Sequence, residues 1–347
     1  MYNTIVIGAG QAGLSIGYYL KQYNESFVIL DRGKEVGDSW KNRYDSLVLF
    51  TPRMYDSLPG LPLEGEEHGF PSKNEIVNYF KQYVANFNLP IMFETEVIRV
   101  QQTGDGFYVE TTQGVYESKN VIVATGAFQY PRIPQFANEL SKEIYQVHSS
   151  QYKNPNQLIK GNVLIVGGGN SGAQIAVELS KEKETYLAIS NKIAYLPLSF
   201  QSKSIFWWFD KLGILKANTH SFLGKIIRKK GDPIFGYELK NAIKRKEVII
   251  KSKVIEGKQN QITFDDLSTL IVNNVIWATG FISKYPWLNI EGVFNNKGEI
   301  IHSRGVSNIK GLYFIGLPWQ YRRGSALLQG VGQNAEFIAH HLKDLSK

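Results

Sequence analysis

The chain has 347 residues, is 43% hydrophobic and 20% charged, carries a net charge of +8 and contains no cysteine. That length accommodates two domains with a core each, and the missing thiols exclude disulfide frameworks, iron–sulfur clusters and Cys-x-x-Cys redox pairs. Basic residues are scattered with no recognition module, which argues against nucleic acid and for polyanionic cofactors, and no apolar run is long enough for stable membrane insertion.

The first strand signal begins close to Met1 and leaves no room for a leader, so a cytoplasmic protein is expected. The run Ile5-Val6-Ile7 is followed by Gly8-Ala9-Gly10-Gln11-Ala12-Gly13. This predicts a strand, a tight turn at Gly8, close approach of a pyrophosphate at Gly10, and a helix packed on the strand through Gly13. The helix N-terminus offers free N–H groups and partial positive charge to phosphates. Asp31, after Phe27-Val28-Ile29-Leu30, stands where an acid accepts hydrogen bonds from a ribose 2′-hydroxyl. Residues 33–71 form a long loop rich in Gly, Pro and aromatics, a length that usually marks function. Ser72-Lys73-Asn74-Glu75 has capping-box spacing and opens a helix to about residue 87. Strands expected near 91–93, 96–100, 107–111 and 121–124 make a small antiparallel meander.

Residues 127–160, with Pro131, Pro134 and Pro155, read as a crossing segment. The first unit then recurs. Val163-Leu164-Ile165-Val166 precedes Gly167-Gly168-Gly169-Asn170-Ser171-Gly172, and Ser190 stands at the offset of Asp31. Both copies later close on the same tripeptide, Ala124-Thr125-Gly126 and Ala278-Thr279-Gly280. This recurrence of the whole unit, more than either set of glycines, points to two dinucleotide sites. An aromatic insertion at about 193–245, with Phe206-Trp207-Trp208-Phe209, interrupts the second copy. It reads as a packed helical subdomain, with a substrate lid or a membrane-touching patch as alternatives. Residues 311–316 predict a strand closing the first domain, and 325–342 a last helix with Gly330 and Gly332 near its start. The fold class expected is α/β, two Rossmann-like dinucleotide-binding domains with the second inserted into the first. Residues 1–155 plus 281–347 would bind FAD and 156–280 the nicotinamide.

An acid repels a ribose 2′-phosphate, whereas Ser190, Asn191 and Lys192 can accept one. The second site is therefore expected to take NADPH, with NADH as the alternative. The first site admits NAD or FAD by its residues. FAD is preferred because the start of the last helix can aim its positive end at the flavin edge that gathers charge on reduction. The aromatics around Trp40 and Tyr44 suit a flavin wall. Nicotinamide facing flavin also permits hydride transfer, which two nicotinamides do not.

The two fingerprints, the paired Ala-Thr-Gly strand ends and His148-Ser149-Ser150-Gln151-Tyr152 resemble the flavin-containing monooxygenases. Gly37-Asp38-Ser39-Trp40, Leu49-Phe50-Thr51-Pro52, Leu58-Pro59-Gly60, Gly231-Asp232-Pro233 and Gly316-Leu317-Pro318-Trp319 resemble a small bacterial branch associated with cation-diffusion-facilitator transporters. The resemblance spans nearly the whole chain. It implies FAD contacts at Gly8, Gly10, Gln11, Ala12, Gly13, Asp31, Arg32, Ser39, Trp40, Val97, Ala124, Thr125, Gly126 and Gln329. It implies NADP contacts at Gly167, Gly169, Asn170, Ser171, Gly172, Ser190, Asn191 and Lys192. It also implies that NADPH reduces FAD, that O2 adds at the flavin C4a, and that the peroxyflavin oxygenates a small soft nucleophile at N or S. The partners are then a small-molecule substrate and O2, with a homodimer allowed. Lys142 and Ile144 stand where the family fingerprint has Phe and Gly, and Pro52 where the larger monooxygenases carry an active-site asparagine. An NAD(P)H oxidase or flavin reductase releasing hydrogen peroxide is therefore the alternative, and a redox-sensing accessory of a transporter a third reading. His148, Arg43 and Arg53 are the candidate catalytic side chains, with His148 read first as orienting the linker. The other histidines have no ligand spacing, and no metal is expected.

Overall fold

The computed structural model describes residues 2–345. A short run that is apolar on both faces suits a parallel strand covered on both sides. Tyr2–Ile7 accordingly lies inside a nine-stranded sheet, paired in parallel with Phe27–Leu30 and Gly114–Val123. Leu312–Phe314 joins Gly114–Val123 in parallel, so the C-terminal segment completes the first domain as expected. The register sets Ile7 opposite both Leu30 and Val123. It thereby brings the Gly8 turn, Asp31 and Ala124 to one edge, the carboxyl ends where open α/β sheets bind ligands.

The fingerprint helix runs Gln11–Gln22, and Ser72 caps Lys73–Phe87 through a reciprocal capping box with Glu75. One sheet face packs Val6, Ile29 and Ile122 against Ile16, Ile76, Phe80 and the last helix's Val331 and Ile338. The other packs Ile5, Ile7 and Val121 against Phe107 and Val109. The meander is smaller than expected. Ile91–Met92 is an outer parallel strand of the main sheet, beside Phe27–Leu30. Only Val97–Thr103, Gly106–Thr111 and the start of Gly114–Val123 run antiparallel; the last of these is long enough to serve both arrangements. The last helix spans Leu328–Leu345, starting later than expected because a 3-10 turn, Arg323–Ala326, precedes it.

The second sheet has five strands in the order Val248–Lys251, Thr185–Ala188, Val163–Val166, Asn274–Trp277 and Tyr145–His148, all parallel. Its edge strand corrects the expected domain boundary. Tyr145–His148 buries Val147 and His148 beside Asn274–Trp277, so the inserted domain begins before residue 145 and not at 156. The chain crosses between domains at Tyr130–Pro131 and Phe281–Ile282, which pair with each other antiparallel.

The insertion is also shorter than 193–245. Glu238–Lys244 buries Leu239 and Ala242 in the second core and leads into Val248–Lys251, as the crossover helix of the unit does. The inserted helices are Ile205–Lys211 and Phe222–Lys230. Phe206 is fully buried and tilts on Phe235, whose ring stacks 4.8 Å from Phe50 of the first domain's loop. Among the described residues no helix is long and apolar enough to cross a membrane.

Candidate active site

The turns of both domains open on one cleft of about 980 Å³. The glycines that shape it divide into two kinds. Gly8 has φ +107°, and a Cβ there would lie 2.8 Å from the Ala124 oxygen; one on Gly13 would lie 1.8 Å from the Gly8 oxygen. These two serve the turn and the helix packing. A Cβ on Gly10 would meet nothing within 4 Å. The second domain repeats the division. Cβ atoms on Gly167 and Gly172 would lie 2.3 Å from the Ala278 oxygen and 2.0 Å from the Gly167 oxygen, while Gly169 faces open space. Neither fingerprint helix has an acidic residue in its first turn, so nothing competes with an anion for the free N–H groups.

Around the first cradle, Asp31 accepts the Ala9 N–H at 2.6 Å on Oδ2 and the Gly33 N–H at 2.7 Å on Oδ1. The Gln11 side chain accepts from Trp40 Nε1 at 3.3 Å and donates to the Ala326 oxygen at 3.2 Å. One amide thus ties the helix, the aromatic loop and the approach to the last helix together. Gln129 Nε2 donates to Thr125 Oγ1 at 3.0 Å and to the Gly126 oxygen at 2.9 Å, fixing the end of the closing strand. Tyr44 donates to Gln174 Oε1 at 2.8 Å and Gln174 Nε2 donates to the Val48 oxygen at 3.0 Å. These bonds fasten the first domain's loop onto the second fingerprint helix.

Of the sequence candidates, Gly8, Gly10, Gln11, Ala12, Asp31, Arg32, Ser39, Trp40, Val97, Ala124, Thr125 and Gly126 line the cleft, as do Gly169, Asn170, Ser171 and Gly172. The Asn170 side chain is already engaged. Its Nδ2 donates to the Pro233 oxygen at 3.1 Å and its Oδ1 accepts the Phe235 N–H at 3.2 Å, securing the insertion. Gln329 does not line the cleft; Ala326, Leu327 and Leu328 do, because the 3-10 turn sets the helix start back. Ser190, Asn191 and Lys192 lie exposed beyond Thr185–Ala188 and outside the cleft lining.

Two of the three catalytic candidates lie outside the cleft lining. His148 is fully buried and outside the cleft lining. Its Nδ1 lies 3.1 Å from the Ser150 N–H, which makes it the acceptor, so Nε2 carries the proton and donates to the Gly280 oxygen at 3.0 Å. Burial pushes its pKa down, in keeping with a neutral ring. These bonds tie the end of Tyr145–His148 to Gly280 at the crossing between domains. Arg53 pairs with Glu75, packs against Gly65 and Gly69, and lies off the cleft. Arg43 does line the cleft, with its guanidinium 4.8 Å from the Phe128 ring centre and 5.2 Å from that of Phe281. Burial pushes its pKa down, and among the described residues it has no carboxylate partner.

Asp56 escaped the sequence reading. It is 1% exposed, lines the cleft, and accepts from Thr51 Oγ1 at 2.6 and 2.9 Å. Burial raises its pKa well above the usual carboxylate range, favouring the protonated acid. A lone acid inside an irregular loop has no spacing signature, so no motif could have marked it.

The open faces of Gly10 and Gly169, the Asp31 carboxylate and the uncontested helix ends fit two pyrophosphates and one free ribose. Residues 5–195 match the family described as pyridine nucleotide-disulphide oxidoreductase.

The chain belongs to that family. It is 64% identical over 99% of both chains to a Bacillus subtilis protein named "Uncharacterized oxidoreductase CzcO". It is 30% identical to the probable indole-3-pyruvate monooxygenase YUCCA1 of Arabidopsis thaliana, over 99% of this chain and 90% of the relative. The flavin-containing monooxygenase from Stenotrophomonas maltophilia shares the fold at TM-score 0.84 and 25% identity, covering 100% of this chain and 99% of that one. The protein is a flavin monooxygenase-like flavoprotein and a flavin-dependent oxidoreductase. The disulfide of the family's name has no counterpart here, since the chain has no cysteine.

Proposed function

We propose that the protein is an NADPH-using, FAD-dependent monooxygenase that oxygenates a small soft nucleophile at nitrogen or sulfur. The observation that carries this reading is the single cleft shared by both cradles, with a wall of aromatic side chains between them and no thiol to relay electrons elsewhere. Bound there, FAD supplies hydride acceptance from the nicotinamide and activation of O2.

The chain's own groups do the rest. Gly10 and Gly169 admit the pyrophosphates, and Asp31 holds the flavin-side ribose. Gln11 and Gln129 fix the loop and strand end around the ring system's side of the cleft. Phe50 and Phe281, both half-buried, line the junction and limit the water that reaches it. Arg43, held at that junction without a carboxylate, supplies positive charge for an anionic part of the nicotinamide or substrate. Asp56 holds a proton at its carboxyl beside Thr51 Oγ1.

A second reading, an oxidase releasing hydrogen peroxide, is favoured by Pro52, which offers no N–H and no side-chain amide where an asparagine is expected. One experiment separates them. NADPH consumption, oxygenated product and peroxide are measured together with and without a dialkyl sulfide. Sulfoxide formed in step with NADPH supports the monooxygenase. Peroxide accounting for all the NADPH, with every sulfide and amine offered, overturns it in favour of the oxidase.

A further inference from the structure

A second hollow, of about 760 Å³, shares no lining residue with the cleft. It lies between the segment 298–304, the loop 317–321 and the base of the inserted helix Phe222–Lys230. We propose that it is a binding site for a phosphate-type oxyanion, either free or as the head of a small organic ester.

The argument starts from Arg304. Its guanidinium carbon lies 4.2 Å from the Tyr321 ring centre and 4.1 Å from that of Phe337, so two aromatic faces clamp it. Its Nε is buried with no hydrogen-bond partner, and none of the ion pairs among the described residues includes it. Arg304 is half-buried, and a clamped guanidinium with its Nε buried and unused carries a desolvation cost that an anion at its open end can offset. The backbone reinforces the point. Arg304 at φ +52° and Trp319 at φ +56° both border the hollow in the left-handed region, which bulky side chains rarely adopt. Such conformations persist where the surroundings impose them, and they gather at ligand clamps. Gln320 imposes this one, with Nε2 donating to the Arg304 oxygen at 3.1 Å and to the Phe314 oxygen at 2.9 Å.

The remaining ionisable side chains around the hollow offer donors, with one exception, and burial pushes the His302 pKa down, so it does so as a neutral ring. Arg228 lines it, as do His220 and His302. His302 Nδ1 accepts the Gly305 N–H at 3.2 Å, which leaves Nε2 as a donor. Outside the lining, the adjacent Arg322 also has a buried, unpartnered Nε. The exception is Glu299, whose Oε2 accepts from Asn295 Nδ2 at 2.9 Å. A doubly charged oxyanion is the ligand chemistry that satisfies a clamped guanidinium, a second arginine and imidazole donors together.

Isothermal titration of the protein as purified, with saturating NADP+ and constant ionic strength, tests the site with two probes, inorganic phosphate and phenyl phosphate. One saturable event is expected to persist under NADP+. R304Q is expected to weaken it about tenfold, R228A about threefold, and E299Q to tighten it about twofold. Should R304Q fail to fold, the opposite signs of R228A and E299Q carry the test. The proposal is overturned by the absence of saturable binding, by loss of binding under NADP+, or by affinities that R228A and E299Q leave unmoved. Tighter binding of phenyl phosphate identifies the ester as the ligand type; tighter binding of inorganic phosphate identifies the free ion.

Discussion

Replacing Gly10 by alanine separates folding from cofactor binding. The backbone there has φ −79°, which alanine adopts without strain, and a Cβ would meet nothing within 4 Å. Alanine narrows the unfolded ensemble by about 0.4–1 kcal/mol, and it is a poorer N-cap than glycine by about the same amount. The two nearly cancel, so the cofactor-free G10A protein should unfold within about 0.5 kcal/mol of the parent. The same methyl occupies the space through which the backbone approaches the flavin pyrophosphate. A displacement on that scale should cost about 2–3 kcal/mol of binding, or about 30- to 150-fold in Kd. G13A is the opposite control. Its Cβ would lie 1.8 Å from the Gly8 oxygen, a backbone atom that cannot swing away, and it should lose about 3 kcal/mol of stability. Urea unfolding of the apo-proteins and FAD titration by fluorescence quenching give both numbers. G10A binding FAD as tightly as the parent would refute the reasoning, because the open space at Gly10 would then not be the cradle.

Three further outcomes follow from the same geometry. G169A should keep its bound flavin but show a KM for NADPH raised about tenfold or more, with dithionite reduction of the flavin unchanged. For Asp56, the folded state keeps a proton that the unfolded state releases above about pH 4. Stability of the parent therefore falls relative to D56N as pH rises from about 4 toward the raised folded value, with a limiting slope of about 1.4 kcal/mol per pH unit. Well below pH 4 the difference between the two should level off to a constant, and thermal melts across pH read this directly; a D56N difference independent of pH throughout defeats the assignment. R43M removes a buried cation that has no carboxylate partner, so its Tm should hold or rise. Its NADPH-dependent flavin reduction, followed by stopped flow, should slow about tenfold. A parallel fall in stability and rate would mean Arg43 is only structural.

Glycine positions were legible because each kind of use leaves a fixed offset. Gly8, Gly13, Gly167 and Gly172 stand where a side chain collides, and Gly10 and Gly169 where it would not. The capping box at Ser72 and Glu75 was equally local, and both partners are in place. What depended on long-range packing was not legible. Tyr145–His148 has Val147 as its one strongly apolar residue, so only its burial beside Asn274–Trp277 makes it a strand. Glu238–Lys244 follows a basic, aromatic insertion and was absorbed into it, although Leu239 and Ala242 belong to the Rossmann core. The roles of Arg53 and Asp56 are set by which side of one loop each faces. One arginine turns to Glu75, and one acid turns into the cleft. Neither direction is encoded in residue type.

The paired strands Tyr130–Pro131 and Phe281–Ile282 let the chain depart and return at a single point, with the Arg132 N–H bonded to the Gly280 oxygen at 2.9 Å. A lobe attached in this way behaves as a cassette. Splicing residue 129 to residue 283 would remove it and leave Leu312–Phe314 still able to reach Gly114–Val123. The parent sheet would then close without its second nucleotide-binding lobe, since none of its strand pairings runs through the excised residues.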